Sequence, residues 1–398
     1  MQDPPAPPSL ARSGGLIAPA LTLVNLVGYV VTVGAARALS KDGYGELNAF
    51  LGVLLVASVP ALAVQAVVAR SIARRPADEV PGPRERALLL RAAGLGVAVS
   101  AVVAATAPLL AAFLHTGPSG PLWVAAQLAP FVVMAAAMGV LQGAERFRAL
   151  AAVICVQAVG KGLGLLPLLG SPSPSDVLVA FLAGTALTAL VGLVLVGRGT
   201  PGPPPLRLPT PAELTAAIGG LLALLVLANL DLLLARNVLS GDESGRYSAG
   251  AVLAKAAFWL PQAVAVVVFP RLSEPDGGRE LLRRAVLVVA GLGLLEVAGC
   301  ALLARPVLEL TFGQSYGSLS GIAPLWVLQG AALSVVQLLV YRAIATRDPR
   351  TTWYVGLAAV AEAAVVLVWR PDTPGPVVAV AVSVALLLTG GLLARSRG

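Results

Sequence analysis

The sequence is poor in charge, histidine and cysteine for its 398 residues. Charged residues make up 12% of the chain, about half the share found in soluble domains, which excludes a large water-soluble catalytic domain. His115 is the only histidine, so a cluster of histidine metal ligands is excluded. The two cysteines lie inside apolar runs and indicate no disulfide framework. The sequence contains no catalytic triad or metalloprotease motif, and we expect neither enzymatic activity nor a resident cofactor.

Apolar residues dominate instead, at 57% of the chain. The net charge of +8 comes from 25 Arg and 3 Lys that are scattered rather than clustered. In a membrane protein such a surplus reports the topology of the loops and not binding to nucleic acid. Abundant Ala, Gly and Pro, with Arg used in preference to Lys, are typical of GC-rich bacterial genes. We therefore expect a multi-pass protein of a bacterial cytoplasmic membrane.

Twelve apolar stretches are long enough to cross a membrane, which takes about 20 residues of helix. The stretches are continuous rather than alternating, which indicates helices and not the strands of a barrel. The sequence thus predicts an all-α integral membrane protein with twelve transmembrane helices. The predicted spans, numbered 1 to 12, lie at residues 15–36, 46–68, 92–114, 122–143, 149–169, 176–197, 213–235, 247–269, 285–304, 321–343, 352–370 and 376–394.

Lys and Arg residues in the loops orient the chain. With the N-terminus inside, most of these residues fall on the cytoplasmic side, as the positive-inside rule requires, so both termini are predicted to be cytoplasmic. We predict a disordered tail at 1–14, an N-terminal six-helix bundle at 15–197, a Pro-rich cytoplasmic linker at 198–212 and a C-terminal six-helix bundle at 213–398.

The two halves of the sequence resemble each other at a shift of about 200 residues. The tetrapeptide PLWV opens span 4 at 121–124 and span 10 at 324–327, and Arg37 ends span 1 as Arg236 ends span 7. Because each half has an even number of spans, both halves begin on the same side of the membrane. This pattern predicts two pseudo-symmetric bundles related by an axis along the membrane normal, an architecture typical of transporters.

Four segments carry a resemblance to a known family. They are ARALSKDGYGELNAF at 36–50, LQGAERFRAL at 141–150, the stretch at 229–274 that runs from NLD through GRY to FPR, and VLELTFGQSY at 307–316. Together they resemble the oligosaccharide flippases of the multidrug/oligosaccharidyl-lipid/polysaccharide (MOP) exporter superfamily. The resemblance implies the MATE-like fold of that superfamily. It also implies that undecaprenyl-pyrophosphate-linked glycans are moved from the inner to the outer leaflet by alternating access.

Charged residues inside spans are costly, about 2.5–3.5 kcal/mol each at the centre of a helix, and therefore mark candidate sites. Lys161 in span 5, with Gln157 one turn earlier, is predicted to contact the lipid pyrophosphate. The alternative is a lysine that extends to the headgroups or pairs with a carboxylate. Lys255 in span 8, with Gln262 seven residues later, is a second candidate. For Lys255 a structural ion pair with Glu296 is the alternative.

Three carboxylates in the second half are predicted to couple transport to an ion gradient, because a carboxylate in hydrocarbon can take up a proton or bind Na⁺. Asp231, with Asn229 beside it in span 7, is the first candidate, and Glu296 and Glu362 are the others. The alternatives are an ion pair between Asp231 and Arg236, and interhelical hydrogen bonds for the two glutamates.

The remaining substrate-binding candidates are Asn25, Gln65, Arg37 and Arg236. The two arginines lie at helix ends, where anchoring at the lipid headgroups is the alternative role. Flippases of the peptidoglycan-precursor branch resemble this chain but carry arginines deep in spans 1, 2 and 8. Asn25, Gln65 and Lys255 stand in those spans here, and the departure favours a glycan other than the peptidoglycan precursor.

The sequence therefore predicts a lipid-linked oligosaccharide flippase driven by Na⁺, H⁺ or the membrane potential. Its expected partners are the lipid-linked glycan, membrane lipids and glycan-assembly enzymes. Two alternatives remain open at this point. One is a drug/ion antiporter of the same fold, and the other is a transport-inactive scaffold for glycan-assembly enzymes.

Overall fold

The computed structural model describes residues 10–73, 84–197, 211–259, 278–346 and 348–397. Within these ranges the chain forms α-helices and three short 3₁₀ segments, at Leu163–Leu165, Pro167–Leu169 and Gln314–Leu319. The helices are α1 (Leu10–Ala38), α2 (Lys41–Ala57), α3 (Val59–Ala73), α4 (Arg84–Leu114), α5 (Ser119–Gly143), α6 (Phe147–Gly162), α7 (Pro174–Gly197), α8 (Pro211–Val238), α9 (Gly241–Trp259), α10 (Gly278–Phe312), α11 (Ala323–Ala345), α12 (Pro349–Trp369) and α13 (Pro374–Arg397). The predicted all-α membrane fold is confirmed.

Eleven stretches in the described ranges are long and apolar enough to cross a membrane. Predicted span 8, at 247–269, is described only as far as Trp259, the last residue of α9. The count of twelve spans and the cytoplasmic termini therefore stay predictions. The first helix begins at Leu10, within the predicted tail at 1–14, and most of the predicted linker at 198–212 lies outside the described residues.

Predicted span 2 consists of two helices, α2 and α3, which meet at Ser58. Pro60 lies two residues beyond the break and has no N–H to donate, so it interrupts the hydrogen-bond pattern of a continuous helix. The carbonyl of Ser58 instead accepts from the N–H of Ala61 at 2.9 Å, which starts α3. The proline in this span therefore marks a real change of helix.

The first compact unit comprises the described residues of Met1–Ala38, Ala57–Leu109 and Pro118–Ala212. α5 lies at its centre and packs against α3 and α7. Of the residues in its most apolar stretch, 72% are buried. α6 packs against α1 on one side and α7 on the other. The core consists mainly of Ala, Val, Leu and Ile side chains, and its sulfur-containing and aromatic members are Met134, Met138, Phe131 and Phe147.

The second unit comprises the described residues of Leu39–Val56, Leu110–Gly117 and Glu213–Gly398. It therefore includes the first half of span 2 and the end of span 3. α11 lies at its centre and packs against α9, α10 and α13. Of the residues in its most apolar stretch, 83% are buried. The two central helices, α5 and α11, are the two that begin with PLWV, so the repeated tetrapeptide marks the same position in each unit.

α6 and α7 approach each other closely because a glycine of each helix faces the other. A Cβ built on Gly184 would lie 2.1 Å from the carbonyl oxygen of Gly160, and a Cβ on Gly160 would lie 2.7 Å from the oxygen of Gly184. Small residues at such crossings let helix backbones touch in membranes. The contact holds α6 in place one residue before Lys161.

We predict that Gly184→Ala destabilises the protein, because the added methyl group forces α7 away from α6. Overpacking of this kind costs about 1–3 kcal/mol, and the midpoint of thermal unfolding in detergent should fall accordingly. Gly299→Ala is the control, since a Cβ at Gly299 in α10 meets nothing within 4 Å. Equal midpoints for the two variants would contradict the prediction.

Candidate functional site

Lys161 lies where α6 ends and a 3₁₀ segment begins. Glycines at 160, 162 and 164 and the proline at 167 weaken the α-helical pattern here, and the chain continues as Leu163–Leu165 and Pro167–Leu169 in 3₁₀ turns. The Nζ atom of Lys161 lies 3.8 Å from the position of a Cβ on Gly28, so the lysine faces α1 where that helix has no side chain. Gly28 therefore leaves room beside the ammonium.

The ammonium of Lys161 has no hydrogen-bond or ion-pair partner among the described residues. An ammonium carries three donors, and the side chain is partly buried. A cation in a low-dielectric environment with unused donors attracts an anion more strongly than it would in water. This part of the first unit is therefore suited to bind an anionic group.

The other candidates in the first unit are placed differently. Gln157 lies one turn before Lys161 in α6 and is partly buried, whereas Asn25 in α1 is exposed. Gln65 donates from Nε2 to Oε1 of Gln142 at 3.2 Å, which links α3 to α5. Arg37 is exposed near the end of α1. The structure thus places Lys161 beside α1, whereas the side chain of Gln65 is hydrogen-bonded to Gln142 and not to Lys161.

A second polar cluster lies in the second unit around Asp231 of α8. Its carboxylate oxygen Oδ2 accepts from the hydroxyl of Tyr247 in α9 at 2.8 Å and from Nε2 of Gln329 in α11 at 3.0 Å. All three side chains are buried. The ring of Tyr247 packs edge-on against Trp326 at 5.5 Å between centroids, and Trp326 in turn occupies the space that a Cβ on Gly250 would need.

Two further charged groups act on this cluster electrostatically. The ammonium of Lys255 attracts the carboxylate of Asp231, whereas the carboxylate of Glu362, buried in α12, repels it. A cavity of about 20 Å³ adjoins both Asp231 and Lys255, and a cavity of this size holds one water-sized species. Its lining consists of Ala228, Asp231, Ala251, Ala254, Lys255, Phe258, Gln329 and Leu333.

Some predicted members of the ion site are not in this cluster. Asn229 points to a different face of α8, since its Cβ lies 3.9 Å from a Cβ built on Gly52 of α2, and its amide donates to the carbonyl of Leu225 at 2.8 Å. Glu296 lies on α10, and neither of its carboxylate oxygens has a hydrogen-bond partner among the described residues. Lys255 thus faces Asp231 rather than Glu296, and Gln262 lies outside the described residues.

Arg236 is buried at the end of α8, with 6% of its side chain exposed. Its guanidinium donates to the carboxylate of Asp42 at 2.5 Å and to the carbonyl oxygen of Leu114 at 3.1 Å. The neighbouring Asn237 donates to the carbonyl of Phe113 at 2.6 Å. The alternative pairing of Arg236 with Asp231 is not observed, because α8 continues through both residues and places them on different faces.

Sequence reasoning missed Tyr247, Gln329 and Trp326 as members of the Asp231 cluster. A signal was present: Gln329 is a polar residue within the apolar span that PLWV opens, and Trp326 lies one turn before it. Intramembrane polar residues mark sites or helix contacts, but the sequence did not show which helix each one faced.

Solved structures with the same fold belong to one class of transporter. A multidrug resistance MATE family transporter of the MOP superfamily, in an inward-facing conformation, is 12% identical with a TM-score of 0.65, covering 95% of this chain and 94% of that one. The lipid II flippase MurJ, in an inward closed conformation, is 13% identical with a TM-score of 0.72, covering 96% and 87%. A MOP superfamily transporter from Pyrococcus furiosus is 16% identical with a TM-score of 0.61, covering 97% and 95%. At such low identities the likeness shows the fold alone, which is that of the MOP transporters.

The family follows from the sequence itself. Residues 10–275 match the family model described as polysaccharide biosynthesis protein, and a search of curated proteins gave no match. The family match covers more than half of the chain. The chain belongs to this polysaccharide biosynthesis protein family, and its fold is that of the MOP transporters.

We predict that Asp42→Asn destabilises the protein by about 1–3 kcal/mol, because it leaves the buried Arg236 guanidinium with carbonyl acceptors only. The midpoint of thermal unfolding in detergent measures the effect. Asp372→Asn is the control, since it removes an exposed carboxylate in the loop before α13. An Asp42→Asn variant as stable as the Asp372→Asn variant would show that the ion pair contributes nothing.

Proposed function

We propose that this protein flips undecaprenyl-pyrophosphate-linked oligosaccharides from the inner to the outer leaflet by alternating access, coupled to a Na⁺ or H⁺ gradient or to the membrane potential. The observation that carries the proposal is the unpartnered ammonium of Lys161 beside α1. Membership of a polysaccharide biosynthesis family and the MOP fold support it. The sugar portion of the cargo is left open.

A lipid-linked glycan presents an apolar tail, a polar sugar and an anionic pyrophosphate, and the pyrophosphate is the part that cannot cross hydrocarbon unaided. In the proposed mechanism the Lys161 ammonium donates charge-assisted hydrogen bonds to phosphate oxygens. Gly28 of α1 leaves room for the phosphate to approach the ammonium. Gln157, one turn earlier, is placed on the same side of α6 to donate a further hydrogen bond.

The Asp231 cluster is the proposed coupling site. Its buried carboxylate, that of Asp231, also interacts electrostatically with the buried carboxylate of Glu362 on α12. Gln329 Oε1 and Glu362 Oε1 are buried acceptors without a donor among the described residues. Oxygen acceptors and carboxylates in this arrangement suit a proton or Na⁺. Binding of the cation would then bias the conformation of the transporter.

A drug/ion antiporter of the same fold is less well supported. Lys161 places a positive charge without a counter-charge in the first unit, and this charge repels a cationic drug while it attracts an anionic lipid headgroup. A transport-inactive scaffold would not need this charge at all. The functional importance of Lys161 therefore separates the three alternatives.

We predict that Lys161→Ala lowers the rate of flipping by about ten- to a hundredfold, the equivalent of losing a charged hydrogen bond worth roughly 1.5–3 kcal/mol. Proteoliposomes would contain undecaprenyl pyrophosphate with a short fluorescent oligosaccharide, and a membrane-impermeant quencher would report the outer leaflet. Lys161→Arg should keep most of the rate. The control Arg148→Ala removes an exposed cation from the same helix and should leave the rate unchanged.

The outcomes distinguish the alternatives. An unchanged rate in Lys161→Ala would overturn the proposed role of this residue. Transport of a cationic dye by the wild-type protein, with no flipping of the lipid probe, would favour the drug/ion antiporter. Complete absence of flipping in the wild type, with normal glycan assembly in cells that carry Lys161→Ala, would favour the scaffold.

Asp231→Asn should abolish the dependence of flipping on the ion gradient, because it removes a carboxylate from the proposed coupling site. The measurement compares the flipping rate in proteoliposomes with and without an imposed pH or Na⁺ gradient. Glu296→Gln is a matched control, as it removes an intramembrane carboxylate that lies outside the cluster. If the gradient still accelerates the Asp231→Asn variant as it does the wild type, the coupling site lies elsewhere.

A further inference from the structure

The surface that α1 leaves uncovered is divided into a polar part and an apolar part. Asn25, Tyr29 and Thr32 recur at the spacing of one helix face and fall within about 60° of one another around the helix axis. We call these three residues the α1 strip. One turn before Asn25 the same side carries the apolar Leu21, so the strip begins at Asn25. The neighbouring part of the circumference is exposed and apolar, and consists of Leu23, Leu26 and Val30.

The α1 strip lies beside the ammonium of Lys161. Gly28, whose Cβ position is 3.8 Å from the Nζ atom of Lys161, borders the strip on the helix circumference. Val27 marks the other edge of the contact between α1 and α6, since its Cγ1 atom is 3.6 Å from a Cβ built on Gly162. Lys161 is therefore at the edge of this contact that adjoins the polar strip, and not at the edge that adjoins the apolar surface.

Two members of the strip have unused hydrogen-bonding capacity. The side-chain amide of Asn25 and the hydroxyl of Tyr29 have no partner among the described residues, whereas the hydroxyl of Thr32 donates to the carbonyl of Gly28 at 2.9 Å. Both unpartnered side chains are exposed, Tyr29 to 44%. An amide without a partner is unfavourable against acyl chains. The strip is therefore suited to a polar ligand rather than to lipid tails.

The position of Tyr29 along the span argues against a role in lipid anchoring. Tyrosines that anchor a helix in a membrane lie at the two ends of the span, at the level of the headgroups. Tyr29 lies instead near the middle of the span Pro19–Ala38. Its ring is thus an exposed aromatic surface at the same depth as the gap beside Lys161, since Gly28 is the preceding residue.

The chemistry of the strip matches a sugar. A sugar ring presents an apolar C–H face, which an aromatic ring can cover, and hydroxyl groups, which an amide can serve as both donor and acceptor. From Asn25 to Thr32 the helix rises about 10 Å, which accommodates one or two sugar rings. The three side chains carry no charge, so the strip offers nothing to neutralise an acidic sugar. In a lipid-linked glycan the first sugar is bonded directly to the pyrophosphate, the group proposed to bind Lys161.

We propose that the α1 strip binds the first sugar of the lipid-linked glycan, with the ring of Tyr29 against its apolar face and the amide of Asn25 on its hydroxyls, and that this sugar is uncharged. The inference rests on the proposed flippase function and deepens it, because it names the class of the first sugar. Lys161 then holds the pyrophosphate, which all such cargo shares, and the strip distinguishes one cargo from another.

The test measures binding to the purified full-length protein in lipid nanodiscs by isothermal titration calorimetry. The probes are geranyl pyrophosphate, which lacks a sugar, and geranyl pyrophosphate that carries one glucose. The wild type should bind the glucose probe more tightly. Tyr29→Ala should weaken binding of the glucose probe about three- to tenfold, the range expected for loss of an aromatic contact, and leave binding of geranyl pyrophosphate unchanged. Tyr29→Phe keeps the ring and should retain most of the affinity.

Two further variants control for position and folding. Leu26→Ala shortens an exposed side chain on the apolar part of the same helix and should leave the affinity for both probes unchanged. Lys161→Ala should weaken binding of both probes, because both contain the pyrophosphate. Unaltered binding of geranyl pyrophosphate by Tyr29→Ala shows that this variant is folded.

A third probe tests the charge of the sugar. Geranyl pyrophosphate that carries glucuronic acid differs from the glucose probe in one carboxylate. With the pyrophosphate on Lys161, this carboxylate has no counter-charge in the strip, and the wild type should bind the glucuronic acid probe several-fold more weakly than the glucose probe. Equal or tighter binding of the glucuronic acid probe would overturn the assignment of an uncharged sugar.

Other results would overturn the sugar site itself. They are equal affinity of the wild type for the probes with and without glucose, equal affinity of Tyr29→Ala and the wild type for the glucose probe, or an equal loss for both probes in Tyr29→Ala. Each of these results leaves the flippase function intact if the wild type still flips the lipid probe in proteoliposomes and Lys161→Ala does not. A wild type that fails to flip the lipid probe, but whose binding of glucose depends on Tyr29, would lose the flippase function and keep the sugar site.

Discussion

The cost of placing charge in hydrocarbon governs the polar chemistry of this protein. Each charged or polar group within a span must find a partner or be left for a ligand. Arg236 donates hydrogen bonds to the carboxylate of Asp42 and to a backbone carbonyl. Asp231 accepts hydrogen bonds from two neutral donors, but its negative charge has no ion-pair partner in direct contact among the described residues. Lys161 has no partner in the described structure. The unused hydrogen-bonding capacity of Lys161, and not its charge as such, distinguishes it as a candidate functional residue from the structural Arg236.

Small residues determine where these groups can meet. Gly160 and Gly184 allow two helices to touch one residue before Lys161, and Gly28 leaves space opposite its ammonium. In the second unit, Gly250 accommodates the ring of Trp326, which packs against Tyr247 of the Asp231 cluster. Without an aqueous driving force between helices, close backbone packing of this kind stabilises membrane bundles. The polar sites are therefore built on rigid helix contacts rather than on loops.

Much of the fold could be predicted because its signals are local or repeated. Continuous apolar runs predicted helices, and the helices observed in the described ranges agree with eleven spans. PLWV marked equivalent positions, which became the two central helices, α5 and α11. The site was less predictable: Asp231, Glu362 and Lys255 were recognised as costly residues, but the partners considered for Lys255 were the lipid pyrophosphate and Glu296, and not Asp231. Asn229 was grouped with Asp231, although residues two apart in a helix point to nearly opposite sides.

By itself, the amino-acid sequence determined the class of protein, the approximate spans and the family, since composition, hydrophobic run length and family motifs are properties of the chain in one dimension. Only the tertiary structure decided which charges face each other. Asp42 and Arg236 are 194 positions apart, and Gln329 and Asp231 are 98 positions apart. Such pairings depend on how each helix is rotated against its neighbours. Packing between side chains sets that rotation. Helices that are apolar on nearly every face have no hydrophobic periodicity from which their rotation could be predicted.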